Sequence, residues 1–588
     1  MIKKSIKTIT CAFLIIGSFT LPALHAKDDI MDFNKIRPGM KGYGLTVFKG
    51  IKIERFEVEV ISVLKNMRPR TGLILVRLKS DVTDKAGVIA GMSGSPIYIN
   101  GKLAGALAFS WAFSKEPIAG ITPIGDMLKI FDLKSPDSSF YNVEPNYEKA
   151  GIKNENNSVK MIQTPLIFQG GSQELLNIFS DDLKKMNFFP VNGGGNGDDF
   201  YEVPEKFQPG SAVGVNLISG DLNVSGIGTV TYVDKDKILI FGHPMFYSGR
   251  SDLPLAHAYI HTVMPSMMVS FKMGTSTRIV GKVFQDQLAG LAGTLKEKAQ
   301  MIPVNIKLDY FKNQNEFNYN IIRSYFFLPK FLTIALFYSI EQVGGWLEKN
   351  TLNFNFEIIF DNNKVISLQN SFASLSTSES IINSMKYLLN PLSNLMINKF
   401  KNVRIKDIKV KIKIDNKIKI AEIISVKAMK KEYEPGETLN LKVKLKPYKG
   451  EPFDKKISIK LPINLPQKKI SLFVSSDQDR QYIDFMLSPY KFQPQDFKQL
   501  VTLYNELAKS TDLSVWTFLR DKSIIAKGEV MDNLPASYYS LLQNSLESGM
   551  EKSVMQIKNR IKTDHVITGA ATVAIEVKKK LHDQNKFK

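Results

Sequence analysis

Six consecutive residues, Gly91-Met92-Ser93-Gly94-Ser95-Pro96, have the types and spacing that acyl-transfer chemistry needs. A serine hydroxyl is a poor nucleophile until its surroundings activate it. A glycine two residues earlier permits a tight turn, in which the N–H groups of Gly91 and Ser93 are the natural donors to a developing oxyanion. Gly94 keeps the approach of a substrate backbone clear of side chains, and Pro96 fixes the exit from the turn. The flanks read as β structure. Gly87–Ala90 is expected as a short strand, and Ile97–Ile99, Asn100-Gly101 and Lys102–Ala108 as a hairpin with a two-residue turn. A glycine-rich turn with no chemistry has the same local pattern, so a second residue must decide.

That residue is a general base titrating near neutrality, for which histidine is the usual choice. The chain has six histidines. His25 lies in a segment expected to be removed, and His565 and His582 lie in a polar C-terminal stretch. His243 follows a strand–turn–strand pattern, Ser225–Asp234 and Ile238–Phe241, and stands before Pro244. His257 and His261 are four apart. On a helix they would share a face and could bind metal with His243, whereas on a strand they would alternate with apolar neighbours. The glutamate of a zinc-peptidase helix is absent, and no metal or other cofactor is expected.

Taken together, Gly-Met-Ser-Gly-Ser-Pro and Gly226-Ile-Gly-Thr-Val-Thr…Gly242-His243 resemble the SpoIVB peptidase family, serine peptidase family 55. Asn100–Ala106, Ile121–Met127 and Pro209–Val215 extend the likeness, which covers roughly residues 35–135 and 205–275. The resemblance implies a chymotrypsin-like double barrel with Ser93 as nucleophile and His243 as base. It places the third member, an aspartate that holds the histidine tautomer, on the approach to the serine loop. Asp81 fits with a short gap in the alignment, Asp84 is its neighbour, and Asp252 is a local rival close after His243. In the family the histidine precedes the serine, whereas here the serine half comes first. The stretch Pro38–Phe48 echoes Gly226–Tyr232 but carries no histidine. Either the halves are permuted around one site, or the first is a degenerate copy and the site is incomplete. Order alone does not exclude catalysis, because one triad geometry occurs in several chain orders.

The rest of the chain must position these residues. It reads as multidomain and mainly β. A signal peptide is expected at 1–26, the serine half at 27–140, a linker or insertion at 141–204 and the histidine half at 205–310. An α+β segment follows at 311–401, then an immunoglobulin-like β-sandwich at 402–475, a small C-terminal α/β module at 476–575 and a basic tail at 576–588. Within 311–401, helices are expected near 330–343 and 376–399. Lys406–Ile414 alternates charged with apolar residues, the mark of a half-buried strand. Asn192–Asp199 matches one unit of a glycine-rich calcium repeat, but such repeats need stacked copies, so a loop is expected.

Lys3 and Lys4, the apolar run Cys11–Leu24 and Ala26 form the n-region, h-region and cleavage site of a secretory signal peptide. The run is short for a membrane span of about 20 residues. Export into the periplasm, cell envelope or medium is therefore expected, with cleavage near Ala26. Cleavage would also remove Cys11, the chain's one cysteine, which suits an exported protein without disulfides. The formal charge of +21 reads mainly as solvated lysine-rich faces. The expected partner is a protein or peptide substrate. Association with the envelope is compatible with this charge, and export argues against nucleic acid. The competing reading is a catalytically silent envelope scaffold that keeps the barrel for binding.

Overall fold

The computed structural model describes residues 30–578 except 69–70, 112–113, 134–158, 195–200, 312, 345–348, 464, 466–467, 519–523, 527–528, 532–533, 545–549 and 553–554. The expected signal peptide, most of the basic tail and the end of the glycine-rich stretch lie outside the described residues.

The chain is mainly β, and its first half is built from two six-stranded rings. The first comprises β1 (Lys41–Val47), β2 (Ile53–Arg68), β3 (Thr71–Lys79), β4 (Pro96–Ile99), β5 (Lys102–Ser110) and β6 (Ile118–Pro123). A short helix, α1 (Asp81–Ala86), joins β3 to the serine loop. The strands pair antiparallel in the order β1-β2-β3-β6-β5-β4, and β4 returns to β1 to close the ring. Asn100 and Gly101, both with positive φ, make the expected two-residue turn between β4 and β5. Gly87–Ala90, expected as a strand, is irregular. Only Ala90 makes a bridge, to Phe271.

Residues 141–204, expected as a linker, contain regular structure: β7 (Lys160–Met161), β8 (Thr164–Gln169), α3 (Gln173–Lys184, after α2 at Ile124–Leu128) and β9 (Phe188–Gly194). Every residue of β8 is buried, and the strand pairs with the second ring, so this segment belongs to the core. The polar runs on either side hid its apolar centre.

The second ring comprises β10 (Ala212–Gly220), β11 (Asn223–Asp234), β12 (Lys237–Ile240), β13 (Gly249–Met264), β14 (Phe271–Gln287) and β15 (Gly290–Thr294). Its order, β10-β11-β12-β15-β14-β13 and back to β10, repeats that of the first ring strand for strand. The repetition extends to single hydrogen bonds. In the first ring Gly39 N–H donates to the Val60 carbonyl and Val60 N–H to the Met40 carbonyl. In the second, Gly210 donates to Val230 and Val230 to Ser211. A bulge follows each valine, between Val60 and Ser62 and between Val230 and Tyr232. The structural counterpart of the Pro38 stretch is therefore Pro209 and β10, not Gly226–Tyr232. The glycine-rich strands look alike because each must let a neighbour come close.

Beyond the rings, β16 (Met301–Tyr310) and β17 (Asn313–Ile322) extend the second sheet through β10, beneath α4 (Leu328–Gly344). Strands β18 (Asn350–Phe360) and β19 (Val365–Ser374) follow, with α5 (Thr377–Met396) packed on them. Strand β20 (Ile405–Asp415) inserts parallel to β16 and antiparallel to β18. Its alternating isoleucines and valine are buried as expected, but in this sheet and not in a sandwich starting at 402. The two-sheet body begins near Ile420. Its strands at Ile420–Ala428, Thr438–Pro447 and Phe453–Lys460 face strands from the C-terminal segment, among them Lys469–Ser476, Asp512–Phe518 and Ala570–Val577, across one apolar core. The expected sandwich and C-terminal module are thus interleaved. Pairing partners more than 100 residues away set that boundary, and composition does not encode them.

Candidate active site

The serine and histidine occupy equivalent places in the two rings. Ser93 lies in the connection from the third strand to the fourth of the first ring, and His243 in the same connection of the second. Both side chains are wholly buried.

The serine loop is a tight turn. Ser95 N–H donates to the Met92 carbonyl at 2.9 Å and Met92 N–H to the Ile89 carbonyl at 3.0 Å. Gly91 and Gly94 have φ of 95° and 93°, a region that favours glycine. Gly94 also has no room for a side chain, because a Cβ would lie 2.0 Å from the Thr229 carbonyl oxygen. Among the described residues, the N–H groups of Gly91 and Ser93 make no hydrogen bond, and neither does Ser93 Oγ. The amides expected to receive an oxyanion are thus uncommitted.

The histidine loop lies across the glycine-rich strand whose pattern accompanies it in the sequence. Phe241 has a positive φ of 69°, and its ring covers Gly228, where a Cβ would come within 2.7 Å of it. The ring Nδ1 of His243 is 2.8 Å from the Pro244 carbonyl oxygen. A carbonyl only accepts, so Nδ1 carries the proton, and in the neutral ring Nε2 is the basic nitrogen. This is the tautomer that a general base requires.

The acid expected at Nδ1 is therefore replaced by a backbone carbonyl. Asp81 is an exposed residue opening α1, where its charge complements the helix N-terminus, and Asp84 is exposed one turn later. The Ser80 side chain caps the same helix by accepting from Thr83 N–H. Asp252 is buried, but its carboxylate accepts from Gln300 N–H at 3.0 Å and lies 3.8 Å from Lys282 Nζ. The sequence offered acids near the motifs. The fold gives each a different task.

Three further residues, one inside the glycine-rich motif and two outside every motif, bond to the two loops. Thr229, on β11, bonds to both loops: its N–H donates to the Ser93 carbonyl at 2.9 Å, and its carbonyl accepts from Phe241 N–H at 3.3 Å. Its Oγ1 donates to the Gly91 carbonyl at 3.0 Å. Asp286, near the end of β14, is fully buried and accepts from the N–H groups of Met245 and Phe246 at 2.9 and 2.7 Å. Burial pushes its carboxyl up to about 6 despite these bonds. Lys272, at the start of β14, is also fully buried, and desolvation lowers its amine to about 7. The last two have no distinguishing sequence signal, because β14 also carries Arg278, Lys282, Gln285 and several hydroxyl residues.

His257 and His261 lie on β13, so the strand alternative holds. The His257 ring packs on Phe207 at 4.1 Å, and burial lowers its pKa to about 4. His261 Nε2 is 2.8 Å from Thr275 Oγ1. Among the described residues no three metal-binding side chains cluster.

No curated protein and no solved structure matches the chain. A family model does match, over residues 23–127, the segment that carries the first ring and the serine loop but ends before His243; that segment is similar to the SpoIVB peptidase S55 family.

Proposed function

We propose that the protein is an exported serine endopeptidase working through an acyl-enzyme. Ser93 Oγ attacks the scissile carbonyl carbon and passes its proton to His243 Nε2. The tetrahedral oxyanion is received by the N–H groups of Gly91 and Ser93. As the C–N bond breaks, Nε2 returns the proton to the leaving amine, and water then hydrolyses the ester by the same route. The observation that supports this reading is Thr229, whose backbone bonds to both Ser93 and Phe241, two residues before His243, although Ser93 Oγ makes no hydrogen bond to the histidine. Support also comes from the family match over the serine segment, which implies a peptide or protein substrate.

One observation favours the scaffold reading instead: Ser93 and His243 are both wholly covered, so a peptide needs the loops to part before it can react. The test is labelling of the full mature chain with a fluorophosphonate probe. Labelling that disappears in Ser93→Ala supports the peptidase. No labelling of the native chain, with or without unstructured protein substrate, favours the scaffold.

A further inference from the structure

Lys272 has no ion-pair partner among the described residues, yet it is completely enclosed. An enclosed amine without a carboxylate is costly, so the contacts it makes instead are informative. Its Nζ donates to Thr46 Oγ1 at 2.7 Å and lies 3.4 Å from Thr229 Oγ1. Desolvation makes the neutral amine accessible near neutral pH, and the two N–H groups of a neutral amine suffice for two threonine oxygens. Thr229 Oγ1 in turn donates to the Gly91 carbonyl. On the other side of the same residue, Lys272 N–H donates to the Ala90 carbonyl at 2.9 Å. Between these two bonds the lysine methylenes run along Gly91, where a Cβ would meet them at 3.3 Å.

Lys272 thus fixes the peptide on each side of Gly91. In a trans peptide the N–H points opposite to the carbonyl. Holding the Ala90 carbonyl toward β14 therefore turns the Gly91 N–H away from it, and the Ser95–Met92 bond does the same for the Ser93 N–H. We infer that Lys272 is a positioning residue for the oxyanion donors of the Ser93 site, acting on Gly91 through its own backbone and through the Thr229 hydroxyl. This rests on the serine-peptidase reading above. The lysine touches neither substrate nor nucleophile in this role. It keeps a donor aimed, at a site where losing one oxyanion donor costs about 10²–10³ in rate.

The test measures the concentration dependence of fluorophosphonate labelling on the full mature chain, which separates the inactivation rate constant from probe binding. Lys272→Met keeps the backbone bond to the Ala90 carbonyl and removes only the side-chain relay to the Gly91 carbonyl, so it should lower the rate constant about 10-fold and leave probe binding within about 2-fold, because the donor acts only on the developing charge. Thr229→Val breaks the same relay without touching the lysine and should give a similar loss, whereas Thr229→Ser keeps the hydroxyl and should restore the rate. The double variant Lys272→Met/Thr229→Val should be little worse than either single one. If Lys272→Met fails to fold, the Val/Ser contrast at Thr229 decides alone. A native-like rate constant in Lys272→Met or in Thr229→Val, or losses that multiply, overturns the inference while labelling of the native chain leaves the peptidase reading standing. A native chain that does not label overturns both.

Discussion

The serine loop and the histidine loop are the same connection in two copies of one ring, and they are held by opposite chemistry from the two ends of β14. The serine loop presents a carbonyl, that of Gly91, to β11, and it is met by donors: the Thr229 hydroxyl with Lys272 behind it. The histidine loop presents N–H groups to the end of β14, and they are met by an acceptor, the Asp286 carboxylate. A buried backbone group costs free energy unless paired, so the direction in which each loop faces its peptides dictates which ionisable residue stands beneath it. The repeated strand order gives the two loops equivalent positions. The side chains under them differ: a hydroxyl and an amine under the serine loop, a carboxylate under the histidine loop.

The comparison is broken most severely by removing the reacting groups. Ser93→Ala and His243→Ala should each lower peptide hydrolysis by several orders of magnitude, and the double variant should lose little more, because residues of one catalytic unit are strongly non-additive. Initial rates on an unstructured protein substrate would measure this. Losses that multiply would mean that the equivalent loops do not share a site.

Next in size is the histidine mount. Asp286→Ala leaves buried N–H groups of Met245 and Phe246 without their acceptor, which should cost about 3 kcal/mol of stability. It should also lower activity by loosening the loop that carries His243. Chemical denaturation at pH 7 reads the first effect. A stability unchanged from the native chain would show that the carboxylate carries no load.

A buried acid under one loop and a buried base under the other also make opposite pH dependences. The Asp286 carboxyl is raised in the folded chain from 3.8 to about 6. Its contribution is fully present below the lower value and is lost as pH rises through the upper one. The Lys272 amine is lowered from 10.5 to about 7. Its contribution is fully present above pH 10.5 and is lost as pH falls through about 7. The stability difference between native and Asp286→Asn should therefore shift against the native chain between about pH 4 and 6. That between native and Lys272→Met should shift in its favour between about pH 7 and 10.5. Melting temperatures across pH for each pair measure this, and the same sign of slope in both would refute the contrast.

The smallest effect is expected at the outer end of the lysine relay. Thr46→Val removes one hydroxyl partner of Lys272 but leaves Thr229 in place, so it should cost about 1 kcal/mol and slow labelling less than Thr229→Val does. An equal or larger slowing would place Thr46, not Thr229, in the path to Gly91.

What the sequence determined by itself was local. The Gly-Met-Ser-Gly turn, the Asn100-Gly101 hairpin, the histidine just after a strand and the half-buried alternation of 406–414 all follow from turn chemistry and periodicity within about ten residues, and each is formed locally as expected. Helices α4 and α5 likewise lie close to the helices expected near 330–343 and 376–399. Tertiary structure decided everything that depends on a distant partner. The proton acceptor at His243 Nδ1 is a neighbouring carbonyl because the backbone turns back on the ring there, while Asp81 spends its charge on a helix end. Strand β20 left the expected sandwich for an edge beside β16, and β8 turned a supposed linker into core. Thr229 stands in the glycine-rich motif with no role assigned to it, and Lys272 and Asp286 read in the sequence as ordinary polar residues on a strand. They acquire roles only when closure of the rings buries them beside peptide groups that have no other partner, from residues 138 positions away for Thr229 and Gly91.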